Sequence, residues 1–215
     1  MSWFLRSRKE AIQAVAQAEP GPEVHRSLAL PVLLHSMRRK GQGLRILDLG
    51  PAVGSNVEFL SELGCKLHIG DLYASRSSAV EGEELGQEFF EQLFPSDARF
   101  DVVLAWDLFN YLQRREMARM GPLLRRHCRP GAIVFSLMWF QKQIPAQPIR
   151  FRMQDNGQLV YERRTSLDRP GPRYAQSELT GFMKGFQVDR SYLMRHGIQE
   201  YLFLRDDETE DTRVL

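Results

Sequence analysis

The sequence predicts an α/β protein with a parallel sheet, on two observations. The first is an apolar run, Leu44-Arg-Ile-Leu-Asp-Leu49, that passes at once into the Gly-bearing loop Gly50-Pro-Ala-Val-Gly54. A helix-like segment, Asn56–Leu63, follows, and then a second apolar run that closes on another acid, Asp71. Strand, tight loop, helix, strand is the crossover unit of a parallel sheet, and an acid closing each strand is how a nucleoside-carrying cofactor is gripped at the sheet's edge. The second observation is that apolar runs recur at Asp101–Ala105 and Ala132–Leu137, with a helical segment between them.

The elements are expected as follows. Residues 2–18 read as an amphipathic helix stopped by Glu19-Pro-Gly-Pro22. Val24–Lys40 reads as a second helix, ended by Gly41-Gln-Gly43, with Pro31 starting or kinking its main part. Strands are expected at Arg45–Leu49 and Lys66–Gly70, and a helix from Val80 to Leu93. Asp101–Ala105 is the next strand. The helix after it, Arg114–Cys128, contains Gly121-Pro122, which must kink or split it. Ala132–Leu137 is a strand entered from a Pro-Gly turn. Alternating residues in Ile149–Met153 and Gln158–Arg163 flank Asp155-Asn-Gly157, the signal of a β-hairpin. A Pro/Gly-rich loop, Asp168–Tyr174, leads to Ser177, which caps a short helix to Met183. Two strands, Phe186–Met194 and Ile198–Leu204, are joined around Arg195-His-Gly197. The chain divides into N-terminal helices over 1–43, an α/β domain over 44–205 and an acidic tail over 206–215.

The acid at Asp48 discriminates between cofactors. A pyrophosphate would be repelled by a carboxylate at the loop mouth. S-adenosylmethionine has no phosphate and carries an ammonium and a sulfonium, which suit that acid. Gly50 permits the turn, and small Ala52 and Gly54 let a ligand approach the backbone. Asp71 stands where a carboxylate can accept both ribose hydroxyls. The arrangement resembles motif I and the acidic strand end that follows it in the class I S-adenosylmethionine-dependent methyltransferases. Asp48, Gly50 and Gly54 fall on the family's pattern and Asp71 on its ribose acid, while Ala52 stands where the family usually has Gly. Phe94–Arg99 and the segment Phe100–Leu112 resemble the family's fourth strand and its lead-in, Arg129–Ser136 its fifth, and the last two strands its closing antiparallel pair.

The resemblance covers roughly residues 44–205 and implies a Rossmann-like sheet, mostly parallel with an antiparallel C-terminal pair. Between Asp71 and Asp101 the usual third strand is reduced or missing, so its adenine-binding acid has no counterpart. Glu88 and Glu91 lie in a helical pattern, and adenine recognition falls to the backbone and to Leu72 or Tyr73. Pro51, Asn56, Trp106 and Asp107 complete the expected cofactor-binding set.

Methyl transfer from a sulfonium is an in-line displacement on an activated carbon, so alignment and exclusion of water matter more than a base. By resemblance, Trp106-Asp-Leu-Phe-Asn-Tyr111 faces the reacting carbon. Asp107, Tyr111 and His196 are the catalytic candidates, with His68 a further histidine to test for a base. Core packing of Trp106 and Phe109, a helix N-cap at Asp107 and a plain turn residue at His196 are the alternatives. The segment lacks the Asn/Asp-Pro-Pro-aromatic signature of exocyclic-amine methylation, and no Pro-Cys offers a thiolate for pyrimidine carbon methylation. The hairpin and loop near 145–175 are a candidate substrate lid. Trp139, Arg150, Arg152, Tyr161, Arg173 and Tyr174 would line it, unless it is an ordinary exposed hairpin.

With 215 residues and 43% hydrophobic content, the chain is expected to form one domain with a full core. No apolar run is long enough to cross a bilayer, and the N-terminus lacks the order of a signal peptide. Two cysteines make no disulfide framework, and no metal-ligand spacing occurs. A reducing, cytoplasmic location is expected. A net charge of +2 gives no strong nucleic-acid signal. The expected activity is methyl transfer from S-adenosylmethionine to an acceptor, more naturally a small molecule. The alternative is a catalytically inactive nucleoside-binding or scaffold module of the same fold. The acid at Asp48 disfavours a nicotinamide-dependent reductase.

Overall fold

The computed structural model describes residues 21–77, 87–95 and 97–206. The helix expected at 2–18, the start of that expected at Val80 and the tail past Asp206 lie outside them. In chain order the elements are β1 (Glu23–Arg26), α1 (Ala29–Lys40), β2 (Arg45–Asp48), α2 (Gly54–Glu62), β3 (Lys66–Ile69), α3 (Leu72–Ser77) and α4 (Gln87–Glu91). Next come β4 (Phe100–Trp106), a 3-10 turn (Leu108–Tyr111), α5 (Arg114–His127), β5 (Cys128–Trp139), β6 (Gln143–Pro145), β7 (Arg150–Met153), β8 (Gln158–Glu162) and β9 (Asp168–Pro170). Last are α6 (Gln176–Phe182), β10 (Phe186–Leu193) and β11 (Ile198–Arg205).

The main sheet has six strands in the order β10-β11-β5-β4-β2-β3. β3, β2, β4 and β5 are parallel neighbours, and β11 and β10 run antiparallel to close it. Among the described residues no strand lies beyond β3. β4 is buried along its whole length, as a strand covered on both faces must be. Alternate residues feed separate cores. Leu47, Val103, Val134 and Phe203 meet Phe90 of α4 and the Met117, Met120 and Leu124 stripe of α5. Ile46, Val102, Leu104 and Phe135 meet Leu30, Leu33 and Leu34 of α1 and, unusually, strand residues Phe151, Met153, Leu159 and Tyr161.

Those strand residues belong to a second, three-stranded antiparallel sheet, β1-β8-β7. Its hairpin turns at Asp155–Gly157, where Gly157 N donates to Gln154 O at 3.1 Å and Gly157 takes the left-handed φ of +77 that closes a three-residue hairpin loop. The helix expected from Val24 is therefore wrong at its start: residues 23–26 pair with β8, and the helix begins only at Ala29. The cause is long-range. The buried Glu200 carboxylate of β11 accepts from the Leu28 and Ala29 amides at 2.8 and 2.7 Å, and Ser27 Oγ accepts from Leu30 N at 2.9 Å. These bonds satisfy the first amides of α1 and fix its start.

Other expectations also need correction. Of the kink or split expected at Gly121-Pro122, the split does not occur: α5 is one helix from Arg114 to His127. The proline ring and Ala118, whose carbonyl loses its partner, are both exposed, so that carbonyl is open to solvent and the proline costs the helix little. Gly121 allows Phe182 to close in: a Cβ there would lie 1.9 Å from the Phe182 carbonyl oxygen. Pro130-Gly131 is a bulge inside a long β5 rather than a turn before it. α6 starts at Gln176 with Ala175 at its N-cap, so Ser177 is helical and does not cap it.

Candidate functional site

The tips of β2 and β3 are tied by their main chains. Gly70 N donates to Asp48 O at 2.7 Å and Leu72 N to Leu49 O at 3.2 Å. Asp71 thus sits beside the Gly50–Gly54 loop. It is half-buried, and its Oδ1 accepts from Ala74 N at 2.9 Å, at the start of α3. Asp48 is buried, and its Oδ1 accepts two bonds, from Gly50 N at 2.9 Å and from the Trp106 indole Nε1 at 2.7 Å. Burial pushes the Asp48 carboxyl up to about 7, opposed by those two bonds and helped by the nearby Asp71 charge. The two acids therefore share one crest and feel one another.

Past β4 the chain turns inward. Trp106 has φ 49, the one non-glycine residue at positive φ among the described residues. Asp107 is 1% exposed. Its Oδ2 accepts from Ile149 N at 3.2 Å and Trp139 Nε1 at 3.4 Å, with Tyr111 Oη at 3.5 Å. Burial raises it too, to about 7, against those bonds. Asn110 donates to the Asp107 and Leu137 carbonyls and accepts from Trp139 N. The Tyr111 hydroxyl lies 3.0 Å from both the Pro145 and Gln147 carbonyls. Asp107, Asn110 and Tyr111 thus hold the connection between β5 and β7. Asn56 does the same from α2, donating to Phe151 O at 2.7 Å and accepting from Met153 N at 2.8 Å. It faces β7 with both ends of its amide.

The lid candidates separate. Trp139, Arg150, Arg152 and Tyr161 lie on or beside the β7–β8 sheet, with Arg152 paired to Glu162 at 2.6 Å. Tyr174 packs on the opposite face of the main sheet, where its hydroxyl donates to Leu112 O and the Arg114 guanidinium lies 5.5 Å over its ring. Arg173 adjoins it there, and its carbonyl accepts from Arg114. His196 stands in the β10–β11 turn, its ring stacked 4.1 Å from that of His25 and its Nε2 3.3 Å from the Tyr161 hydroxyl. His68 lies on β3, 6.0 Å from Phe100 at the foot of β4 and away from the crest. Sequence reasoning missed Arg169 of β9. Its guanidinium lies 5.8 Å over the Tyr111 ring, which meets Tyr73 edge-on at 5.9 Å. Nothing local in the sequence signals that meeting of β9, α3 and the 3-10 turn.

The sequence model of a family described as methyltransferase domain matches residues 17–170. The chain belongs to that family. A search of the curated proteins finds no match for this chain. Among solved structures it is similar to a Pyrococcus horikoshii protein at 17% identity and TM-score 0.51, over 95% of this chain and 92% of that one. It is also similar to an S-adenosylmethionine-dependent methyltransferase from Clostridium acetobutylicum, at 14% identity and TM-score 0.51, over 81% and 89% of the two chains. A magnesium protoporphyrin IX methyltransferase from Synechocystis is 12% identical with TM-score 0.50, over 83% and 78%. Likeness at such identities is likeness of fold, and the fold is that of the class I methyltransferases.

S-adenosylmethionine is the cofactor that goes with this family and fold. The residues present here fit it in kind. An acid stands at each of two joined strand tips. A Cβ on Gly54 would meet nothing within 4 Å, so the start of α2 is open to a ligand. No helix among the described residues is long and apolar enough to cross a membrane, and no cluster of metal-binding side chains occurs among them.

Proposed function

We propose that the protein transfers a methyl group from S-adenosylmethionine to a small-molecule acceptor. The observation that carries this reading is the pair of carboxylates, Asp48 and Asp71, on joined strand tips around the Gly50–Gly54 loop. Asp71 would accept the ribose hydroxyls, Leu72 and Tyr73 would flank the adenine, and Asp48 would meet the ammonium. Pro51, Ala52 and Gly54 would supply the backbone surface. When bound, the cofactor supplies a methyl already activated by its sulfonium. The protein's part is then to orient the acceptor and keep water out. The rim past Asp71, made by Tyr73 and by Arg169 where it covers the buried Tyr111 ring, suits an acceptor with a flat face and a carboxylate or phosphate. The β7–β8 hairpin, anchored by Asn56 and Asp107, forms the opposite wall.

A second reading has a specific observation in its favour. Asp107 and Tyr111, the candidate acid–base groups, are buried and bonded inside the protein, which suits a nucleoside-binding module without turnover. One assay separates the two. A cell extract is divided into a dialysable and a macromolecular fraction, and S-adenosylhomocysteine formation is followed with each. Turnover with the dialysable fraction is expected. Turnover confined to the macromolecular fraction would overturn the small-molecule acceptor, and binding of the cofactor without turnover in either would establish the second reading.

A further inference from the structure

We propose that Trp106 is a latch on the cofactor site: its indole lies over Gly50, holds Asp48, and must swing away before the ammonium end of the cofactor can reach that acid. This rests on the function proposed above and deepens it. The first support is steric. A Cβ built on Gly50 would lie 2.6 Å from indole Cδ1 and 3.1 Å from Nε1, so the ring is packed directly on the loop surface that a ligand would use. The second is chemical. The indole N–H bonds the Asp48 oxygen at 2.7 Å, within a buried setting, and so stands in for a cationic donor. Indole and ammonium are competitors for the same carboxylate.

The third support is conformational. Trp106 alone among described non-glycine residues has positive φ, at 49. A bulky residue in the left-handed region is strained, and its surroundings must hold it there. What holds it is visible. The indole stacks on Phe151 with centroids 5.5 Å apart and planes 8° apart, and its edge meets Phe135. Phe151 belongs to β7, which Asn56 fastens to α2. The latch therefore links the cofactor loop to the hairpin wall. Displacing the indole ends its stacking on Phe151 and releases backbone strain, so filling one site alters the other.

The test uses the full chain and S-adenosylhomocysteine, which keeps the ammonium. Affinity is measured by calorimetry for wild type, Trp106→Phe, which keeps a ring without the N–H, and Trp106→Gly, which removes the plug and suits a positive φ. Removing the competing bond predicts about five- to tenfold tighter binding by Trp106→Phe, and more by Trp106→Gly. Ligand should also shift the tryptophan emission of wild type, and most of that shift should be lost in Trp106→Phe. Unchanged or weaker binding by Trp106→Phe overturns the latch, as does an emission blind to ligand. If Trp106→Phe does not fold, the affinity of Trp106→Gly decides on the same criterion. Should wild type bind while the variant gains nothing, the latch falls and the proposed function stands. Should wild type and both variants all fail to bind, the proposed function falls, and the latch with it.

Discussion

Asp48 is buried with a neutral donor, the indole N–H, on the oxygen that already holds Gly50. Its carboxyl, raised to about 7, is substantially protonated in mildly acidic solution. Only the ionised form attracts an ammonium. Cofactor affinity should therefore climb as pH rises from about 5.5 to about 7.5, by up to about tenfold per unit below the carboxyl's own value. Asp48→Asn should flatten that climb, and calorimetry across the range checks both. Asp48, Gly50 and Asp71 are legible in sequence because their arrangement is local: a strand end, a tight turn, the next strand end. The partner of Asp48 is not legible. Trp106 is 58 residues away, and only the register of β2 against β4 brings it over the loop.

At the scale of elements, Asn56 joins α2 to the edge of β7 as though it were a neighbouring strand. Asn56→Ala would leave Phe151 O and Met153 N buried without partners and should destabilise the protein by about 2–4 kcal/mol in urea unfolding. An effect below about 0.5 kcal/mol would mean that β7 is held elsewhere. Gly121→Ala would drive a methyl onto the Phe182 carbonyl and is expected to cost about 1–3 kcal/mol or more by pushing α5 from α6. The hairpin was legible from its Asn-Gly turn and alternation. β1 was not: Val24–Lys40 reads as helix because the apolar spacing is compatible with one. What overrides it, β8 and Glu200, lies more than a hundred residues on. That Pro122 does not split α5 is illegible for a related reason, since whether a proline faces water is a property of packing.

Across the molecule, one sheet separates two cores, and the parallel half presents its strand ends to the crest. Two acids raised to about 7, Asp48 and Asp107, sit at or behind that crest. The folded state binds their protons more tightly than the unfolded chain does, whose carboxylates have their ordinary value near 3.8. Their stabilising contribution is thus fully present below about pH 4 and is lost as pH rises through about 7. His127 and His196, whose burial lowers them, act in the opposite sense, being harder to protonate when folded. Asp107→Asn keeps an acceptor for Ile149 and removes one acid. Its unfolding free energy should therefore fall less than that of wild type between pH 5 and pH 8, in parallel denaturant titrations at the two values.

The reading as a whole requires that Asp71 hold the cofactor's ribose, and binding of S-adenosylhomocysteine to wild type and to Asp71→Ala at neutral pH tests it most directly. Wild type should bind saturably, and the variant should lose about 1.5–3 kcal/mol for each hydrogen bond that the carboxylate makes. Equal affinities for the two proteins would contradict the account.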